Sequence, residues 1–568
     1  MKTESKRRSR GGVYACVVAC ALLLAARCAA QNLPPAIFYS DLESGPNTGG
    51  KNNEGAFVTI WGRGFGNERG SSIVTIGGGA AAGYPQWSDD RITFQLGVNA
   101  KSGPVVVRIG NEKLRSNGVP FVVRPGKIYF VSTKGHDFRA GSFAAPWRSI
   151  TKAKNSLSAG DIAYIEDGVT LTSEENFTAY LSMDRNGGDN SGKQGLPKAL
   201  IAYPGANVTI GVPRGLAYAI RTPNIKVRTD YWLISQLHVV GGTQAVDVEG
   251  TGWRLVGNNF ECPDGDGQVG CVQMSGSSDV RFYGNEIHNA GTPPRSSKFY
   301  HALYFSTDSN HVDVGWNHIH DNFTCRAIQF HSSPLCSPKC GASDTTGFNQ
   351  FDLHVHDNLI HGDNCNGINF ATVDPSRGAV EAYNNVIYHV GVADPKGSDG
   401  GAFSCIYVAG ITNHGKPGSG TVEAFNNTLV DCGANSSRNA GGSRGAFGMG
   451  GAEGLALRLR NNIVLQLPGE IYLDGNKGQI TGEHNLWFGA GNAPSQTGEN
   501  ISADPDFVNA AAFNFHLSAK SPAKDAGVKI QPANPFSVSG AMTDKDGVVR
   551  PQGKEFDLGA YELPLQSK

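Results

Sequence analysis

The sequence predicts an all-β protein, with a small immunoglobulin-like β-sandwich followed by a right-handed parallel β-helix, a coil of stacked parallel strands. Glycine is abundant, at 75 of 568 residues, which suits short strands joined by many turns. Two strand patterns with alternating apolar residues also recur together between residues 244 and 465. A repeating unit that carries strands is typical of a solenoid, because each unit buries its apolar side only against its neighbours.

The first strand pattern has two apolar residues at alternate positions, so that both side chains point to the same side of the strand. Polar and aromatic residues occupy the positions between and beside them. We therefore expect a stack of strands with an apolar inner side and a polar outer side. The apolar pairs are Val246/Val248, Val272/Met274, Leu303/Phe305, Ile328/Phe330, Ile368/Phe370 and Ile406/Val408.

The second strand pattern ends on an asparagine, and its interval varies from 27 residues (Asn258 to Asn285) to 42 residues (Asn385 to Asn427). Loops of different lengths must therefore leave one corner of the coil. Asparagine at a fixed corner suits a stacked ladder, because its amide can bond its copies above and below and because it tolerates left-handed turns. The ladder is predicted to contain Asn258, Asn285, Asn317, Asn358, Asn385, Asn427 and Asn462.

The cysteines give an independent check on this alignment. Three of the 11 cysteines lie in the first thirty residues, and an even number follows, which favours disulfides in an exported protein. The first pattern puts Cys325 and Cys365 at equal positions on successive coils, about 4.8 Å apart and therefore within disulfide reach. Cys262 and Cys271 could close a short loop. The segment Cys336–Cys340 fits a loop disulfide better than half of a metal site, because no second half matches it.

Residues 1–30 have the features of a cleaved signal peptide. Basic residues precede an apolar run, Val13 to Ala26, that is shorter than the roughly 20 residues of a membrane span. We therefore expect a secreted, periplasmic or cell-surface protein with no transmembrane segment after cleavage. A charged fraction of 17% and a net charge of -1 do not favour nucleic acid or an anionic membrane as partner, because both attract basic surfaces.

Residues 33–125 are predicted to form the β-sandwich, because period-two strands alternate there with Gly-rich turns. The stretch Val58–Gly66, the turn Ile76–Gly78 and the strand Phe121–Val123 resemble the IPT/TIG family of immunoglobulin-like domains. The resemblance implies an accessory module and indicates no ligand.

Residues 126–500 are predicted to form the β-helix with an N-terminal cap, and residues 501–568 a segment that closes its far end. The strand Lys127–Val131, followed by Pro146–Ile150 and a short helical stretch, resembles the N-terminal cap of the pectate-lyase-like superfamily. The tail, with Asp557–Glu562 near its end, resembles the tail of many secreted parallel β-helix proteins. These resemblances imply the fold and leave the reaction open.

The outer side of the first strand pattern is the predicted binding surface. Aromatic rings stack on the apolar faces of sugars, and amides hydrogen-bond sugar hydroxyls, so this surface suits an extracellular or cell-wall polysaccharide. Any solvent-facing strand also carries polar residues, which is the simpler interpretation. Candidate substrate-binding residues are Gln273, Gln329, Asn366, Asn369 and Tyr407, and candidate catalytic residues are His301, Tyr304, Arg326, His331 and Lys298.

The resemblance to the superfamily implies a lyase, an epimerase or a glycoside hydrolase. A lyase removes the C5 proton of a uronate after Ca²⁺ or an arginine has neutralised the carboxylate. Arg326 is the candidate for neutralisation and Tyr304 for protonation of the leaving oxygen, and the candidate bases are His331, His301 and Lys298.

A hydrolase needs two carboxylates about 5 to 9.5 Å apart. Asp247 and Glu249, on one early coil, are a candidate pair. Asp394, Lys396 and Asp399 lie in a long loop that offers a further acid and base. A non-catalytic carbohydrate-binding or adhesion protein is the alternative to all three enzymes.

Asp321 and Asp363 are candidate ligands for Ca²⁺, which prefers oxygen ligands. They follow the asparagine corner within an Ile-His-Asp-Asn pattern that is common in the turns of such β-helices. The neighbouring column of His288, His320 and His361 is less suited to Zn²⁺, because one histidine per coil rarely converges tetrahedrally.

Overall fold

The computed structural model describes residues 33–565 apart from residues 112, 224–226, 228, 295, 333–348, 392–402, 411–417, 434–444, 451–452, 476–478 and 536–541. Within these ranges the helices are one α-helix, Ile150–Ser156, and two 3₁₀ turns, Lys51–Asn53 and Ala510–Ala512. The predicted signal peptide and the segment Cys336–Cys340 lie outside the described residues.

Two mainly antiparallel sheets form the N-terminal sandwich, as predicted. Alternate residues such as Ile60, Phe94 and Val107 are fully buried between the sheets. In spatial order, one sheet contains Ala36–Ser40, Phe57–Arg63, Arg91–Gln95 and Gly83–Trp87; the other contains Ser44–Gly45, Val119–Val123, Gly103–Ile109, Ile73–Ile76 and Gly79–Ala80, with Leu114–Arg115 beside Gly103–Ile109.

The short helix begins where the sequence predicts it, and Ser149 is its N-cap, since its side chain accepts a hydrogen bond from the Lys152 amide. Ile150 and Ala153 on its inner side belong to the same apolar core as the first coils. The helix thereby covers apolar residues that a terminal coil would otherwise expose.

Three stacks of parallel strands form the coil, which confirms the predicted right-handed parallel β-helix. The first stack contains Ala179–Ser182, Tyr218–Arg221, Gln244–Thr251, Gly270–Tyr283, His301–Ser306, Arg326–His331, Asn366–Phe370, Ile406–Val408, Phe447–Met449 and Leu473–Asp474. The second stack contains Ile128–Val131, Ile162–Ile165, Lys198–Ala202, Trp232–Ser235, Arg254–Val256, the end of Gly270–Tyr283, Asn310–Gly315, Leu353–His356, Val380–Tyr383, Gly420–Phe425, Leu455–Arg460, Ile480–Glu483 and Thr497–Gly498. The third stack contains Thr170–Leu171, Thr209–Gly211, His238–Val240, Asn259–Cys262, Glu286–Ala290, His318–His320, Leu359–His361, Val386–Val390, Thr428–Cys432, Ile463–Leu465 and Leu486–Phe488.

The strand register in the first stack is the one that the apolar pairs predict. Val246 pairs with Val272, which pairs with Leu303, and the series continues through Ile328 and Ile368. These side chains are fully buried. Because side chains alternate across a strand, the register also fixes which polar residues share the outer side.

The asparagine ladder is present at the corner between the second and third stacks. Each amide Nδ2 donates to the Oδ1 of the next copy, for example Asn317 to Asn358 at 2.9 Å and Asn358 to Asn385 at 3.0 Å. The ladder extends one step beyond the predicted set, to Asn485. The left-handed conformation falls on the preceding residue, such as Asp357 with φ of 55°, and not on the ladder asparagine itself.

Three disulfides are present among the described residues. Cys262–Cys271 and Cys325–Cys365 confirm the two predicted bonds, and the Cα atoms of the second pair lie 4.6 Å apart. Cys405–Cys432 is a third bond that the sequence alignment did not predict. These bonds fit a protein that folds in an oxidising compartment.

The sandwich packs against the second stack through a shared apolar core and an ion-pair network. Glu43 accepts hydrogen bonds from Arg254 at 2.7 Å and from Arg281 at 2.9 Å. Arg254 also donates to the backbone carbonyls of Ser40 and Asp41. Two outward charges of the second stack therefore help to hold the sandwich against the coil.

The C-terminal segment packs against the flank of the coil, where it forms the hairpin Phe507–Asn509 and Asn514–Leu517. Its apolar side chains cover outward residues of the third stack, for example Phe515 over Tyr388. Further on, Lys545 reaches the backbone carbonyl of Asp357. This segment therefore runs back along the coil towards the sandwich.

Candidate active site

One outward column of the first stack gathers five of the predicted site residues. The register pairs Gln273 with Tyr304, Tyr304 with Gln329, Gln329 with Asn369 and Asn369 with Tyr407. Adjacent strands in a sheet lie about 4.8 Å apart, so the column spans roughly the length of a short sugar chain. We call this outer surface of the first stack the groove face.

Arg326 is the most unusual charge on the groove face. Its Nη1 donates to the Lys298 carbonyl at 2.8 Å, and its buried Nε has no hydrogen-bond partner among the described residues. Within that same part of the chain no carboxylate forms an ion pair with it. Burial lowers the pKa of Arg326 to about 10, while Tyr304 and Tyr407 oppose that shift. The guanidinium therefore stays charged at neutral pH and is suited to an anionic group from outside the chain.

His301, Tyr304 and His331 surround this guanidinium on two adjacent coils. The Tyr304 hydroxyl lies 3.4 Å from Nδ1 of His331, and its ring meets the His301 ring edge to face with centroids 5.0 Å apart. Burial raises the pKa of Tyr304 to about 12. Burial and the nearby Arg326 lower the pKa of both histidines, that of His301 strongly. At neutral pH the site therefore holds a neutral phenol beside neutral imidazoles.

The predicted binding amides are largely engaged with one another. Asn369 Nδ2 donates to Gln329 Oε1 at 2.6 Å, and both side chains are buried. Oδ1 of Asn369 and Oδ1 of Asn366 are buried without a hydrogen-bond partner among the described residues. Gln273 contacts Ser275 at 3.3 Å on its own strand. Both acceptor atoms are unsatisfied by the described residues but shielded from solvent.

Two other predicted residues lie at the margins of the site. The Tyr407 ring leans over Gly448 on the next coil, where an added Cβ would approach the ring to 2.6 Å. Lys298 is half-buried, and its Nζ lies 5.3 Å from the centroid of the Phe299 ring. Its carbonyl, and not its amine, is the atom in contact with Arg326.

An ion pair at the start of the groove face was not predicted. Arg221 lies 3.4 Å from Asp247, and burial raises the pKa of Asp247 to about 6 while Arg221 opposes the shift. The register places Arg221 one coil before Asp247. The apolar pairs listed from the sequence do not include this coil, because Thr222 occupies its second inward position. Aligning Ile220 with Val246 would have placed Arg221 beside Asp247.

The predicted calcium ligands face different environments. Asp321 is exposed and bonds Nδ1 of His320, whereas Asp363 is fully buried and accepts a hydrogen bond from Thr324 at 2.6 Å. Burial raises the pKa of Asp363 to about 7, which favours its neutral form. Ca²⁺ needs six to eight oxygen ligands, so this pair does not fit a calcium site, and we assign no step to Ca²⁺.

Buried charges on the second stack form a closed network at the junction of the sandwich, the coil and the C-terminal segment. His356 lies between Asp313 at 2.8 Å and Asp357 at 2.6 Å, and the two carboxylates raise its pKa to about 10 against the effect of burial. A cavity of about 660 Å³ adjoins this network. Since these charges are already paired, they are suited to holding the junction together.

The loop residues Asp394, Lys396 and Asp399, predicted as a further acid and base, lie outside the described residues.

Comparison with protein families identifies the N-terminal module. Residues 43–123 match the IPT/TIG domain, so the resemblance predicted for the sandwich is confirmed. Comparison with curated proteins finds no match. Within the described residues, no helix combines the length and apolar character needed to cross a membrane.

Several solved structures are similar to this chain at low sequence identity. Pectate lyase Pel9A is 16% identical with a TM-score of 0.45, over 77% of this chain and 96% of that one. GH136 lacto-N-biosidase from Eubacterium ramulus is 12% identical with a TM-score of 0.39, over 66% and 65%. PfbA, a surface adhesin of Streptococcus pneumoniae, is 12% identical with a TM-score of 0.37, over 61% and 85%.

These likenesses concern the fold alone, and the sheet topology described above establishes that fold directly. The protein contains an IPT/TIG domain joined to a parallel β-helix.

Proposed function

We propose that this protein is a secreted polysaccharide lyase that cleaves a uronate-containing polysaccharide by β-elimination on the groove face. The observation that carries the proposal is Arg326, a half-buried guanidinium with a buried, unsatisfied Nε and no carboxylate partner among the described residues, beside a neutral phenol and neutral imidazoles. A uronate carboxylate would supply the missing anion through charge-assisted hydrogen bonds. Its neutralisation would also make the C5 proton of the sugar more acidic.

The elimination needs one base and one acid. In the proposed reaction, His331 or His301 takes the C5 proton, the C4–O4 bond breaks, and a C4–C5 double bond forms. Tyr304 gives its proton to the departing O4, and its 3.4 Å contact with His331 offers a path for the captured proton to return. A positioned acid or base of this kind contributes about 100- to 10,000-fold to a rate.

The positions of these groups also support a substrate preference. Tyr304 and His331 approach from the same side of the groove face, which suits elimination of a proton and a leaving oxygen on one face of the sugar ring. Glucuronate and mannuronate have H5 and O4 on the same face, whereas galacturonate has them on opposite faces. We therefore expect glucuronate- or mannuronate-containing chains to be better substrates than polygalacturonate.

The test follows the ultraviolet absorbance of the new double bond while the mature protein is incubated with each of these polymers. Activity should appear without added metal and should be lost in Arg326→Ala and His331→Ala. Arg458→Gln is the matched control, because this arginine pairs with Glu423 on the second stack. A silent wild-type protein on all polymers, or activity retained in Arg326→Ala, would contradict the proposal.

A non-catalytic role for the same groove face is the second candidate. The half-buried rings of Tyr304 and Tyr407 lie in one outward column and can stack on sugar faces, which favours sugar recognition with or without chemistry. Binding of a polysaccharide that produces neither double bonds nor new reducing ends would support this candidate. New reducing ends without double bonds would instead indicate a hydrolase, with Asp247 and Glu249 as the first residues to replace.

A further inference from the structure

Three histidines meet on the outer side of the third stack, away from the groove face. His318 and His320 lie on one strand and flank the fully buried Ile319, so their side chains share the outer side. His361 pairs with His320 on the next coil. One coil thus contributes two histidines, which the predicted column of one histidine per coil did not include.

The ring nitrogens are close enough to share one ion. One ligand atom from each of the three histidines lies within 4.8 Å of the other two. Nε2 of His318 and Nε2 of His361 are 3.0 Å apart. Zn–N bonds are about 2.0–2.1 Å long, so two imidazoles on one tetrahedral zinc ion place their nitrogens about 3.3 Å apart. All three side chains are half-buried and remain accessible to an ion.

Two carboxylates orient the central histidine. Asp321 Oδ2 lies 2.9 Å from Nδ1 of His320, and Glu286 Oε1 lies 3.0 Å from its Nε2. A carboxylate that accepts the Nδ1 proton fixes the tautomer in which Nε2 is free to bind a metal. Glu286 Oε1, 3.0 Å from that Nε2, would be within reach of an ion bound there.

We propose that His318, His320 and His361 bind one divalent transition metal ion, with Glu286 as a fourth ligand. Imidazole ligands suit Zn²⁺, Cu²⁺ and Ni²⁺, whereas Ca²⁺ prefers oxygen. The site joins the strands His318–His320 and Leu359–His361, so the ion would clamp two successive coils together. Because this site lies outside the groove face, it does not depend on the proposed lyase activity.

The experiment is a titration of the untagged, chelator-treated full-length mature protein with Zn²⁺, followed by calorimetry and by metal analysis after gel filtration. We expect one tightly bound zinc ion from this site and a higher melting temperature with zinc. Changes around a metal site typically weaken binding about 10- to 100-fold, so His318→Gln and His361→Gln, which each remove a ligand, should weaken it by about 100-fold or more. Co²⁺ should give the visible absorption of nitrogen-ligated cobalt in the wild type only.

Two controls separate this site from other sources of zinc binding. His238→Gln removes a histidine of the same stack that pairs with Glu261, and it should leave binding unchanged. His484→Gln removes the histidine of a second cluster, with Glu483 and Glu499, and it should also leave the tight site intact. The proposal is overturned if the wild type binds no zinc or if His318→Gln and His361→Gln, folded by circular dichroism, bind it as the wild type does.

Discussion

The hydroxyl of Tyr304 lies 3.4 Å from Nδ1 of His331, across two adjacent coils of the groove face. The two residues are 27 positions apart in the chain, and the strand register brings them together through the neighbouring pairs Tyr304–Gln329 and Ser306–His331. A weak acid and a neutral base are thereby held on the same side of the proposed sugar site.

The first prediction concerns this contact. Tyr304→Phe keeps the ring against His301 but removes the proton donor, so we expect kcat to fall by about 100-fold or more. Polysaccharide binding, measured by calorimetry, should change little. Tyr84→Phe in the sandwich is the control. Unchanged kcat in Tyr304→Phe would exclude the phenol as the acid.

The second prediction is the pH profile of kcat/KM. The base must be unprotonated, and burial together with Arg326 lowers the pKa of His331 below its ordinary value of 6.5. Activity should therefore rise through a limb below pH 6.5 and then stay level. It should fall as pH rises past about 10, where Arg326 loses its charge. An acidic limb above pH 6.5 would argue against His331 and His301 as bases.

The third prediction tests the asparagine ladder. Asn358 Nδ2 donates to the Val314 carbonyl and to Asn385, while its Oδ1 accepts from the backbone and side chain of Asn317. Asn358→Ala leaves these buried groups unpaired, so we expect a loss of about 3 kcal/mol or more in the free energy of unfolding, at about 1–3 kcal/mol per group. Urea denaturation measures it.

The exposed Asn492→Ala is the control for the ladder variant and should change stability by less than about 0.5 kcal/mol. If both substitutions change the free energy of unfolding equally, the ladder hydrogen bonds stabilise the fold no more than the hydrogen bonds that water makes in the unfolded chain.

The fourth prediction concerns the junction of the sandwich and the coil. Glu43→Gln weakens the bridge to Arg254 and Arg281. Because the Glu43 side chain is 46% exposed, solvent screens this bridge and we expect a loss of about 1 kcal/mol or less. Burial alone would raise the pKa of Glu43, but the two arginines outweigh it and lower the pKa below 4.5. The wild-type bridge should thus contribute fully above pH 4.5 and be lost as pH falls below it.

The weaker junction of Glu43→Gln should be cleaved faster by protease between the sandwich and the coil than the wild-type junction. This difference between variant and wild type should disappear at low pH, where the wild-type bridge is also lost. Glu68→Gln, an exposed substitution in the same domain, is the reference. A Glu43→Gln protein that resists protease as the reference does would show that the apolar core alone holds the junction.

The repeat could be predicted from the sequence because parallel strands impose a strict period of two. An apolar pair such as Leu303/Phe305 can face the core in only one register. That register fixes the neighbours of Tyr304, and it also places Cys325 beside Cys365. The asparagine ladder was predictable for the same reason, since one residue type recurs at one corner.

The sequence supplies candidate residues for the proposed site, but it does not specify how buried each one is or how its pKa is shifted. The sequence places Arg326 and His331 on neighbouring coil positions, but only the structure shows that Arg326 is half-buried without a described carboxylate partner and that its surroundings lower the pKa of His331. Likewise, Asp321 and Asp363 look equivalent in the sequence, and only the turn geometry exposes one and buries the other.

The sequence by itself determined the coil, its inward residues, its ladder and two of its disulfides, because these follow from local periodicity. Only the tertiary structure decided the pKa shifts at Arg326 and Tyr304, the junction at Glu43, and the meeting of His318 with His361. These depend on desolvation and on distances between side chains from different coils, and the spacing of residues along one chain does not specify either.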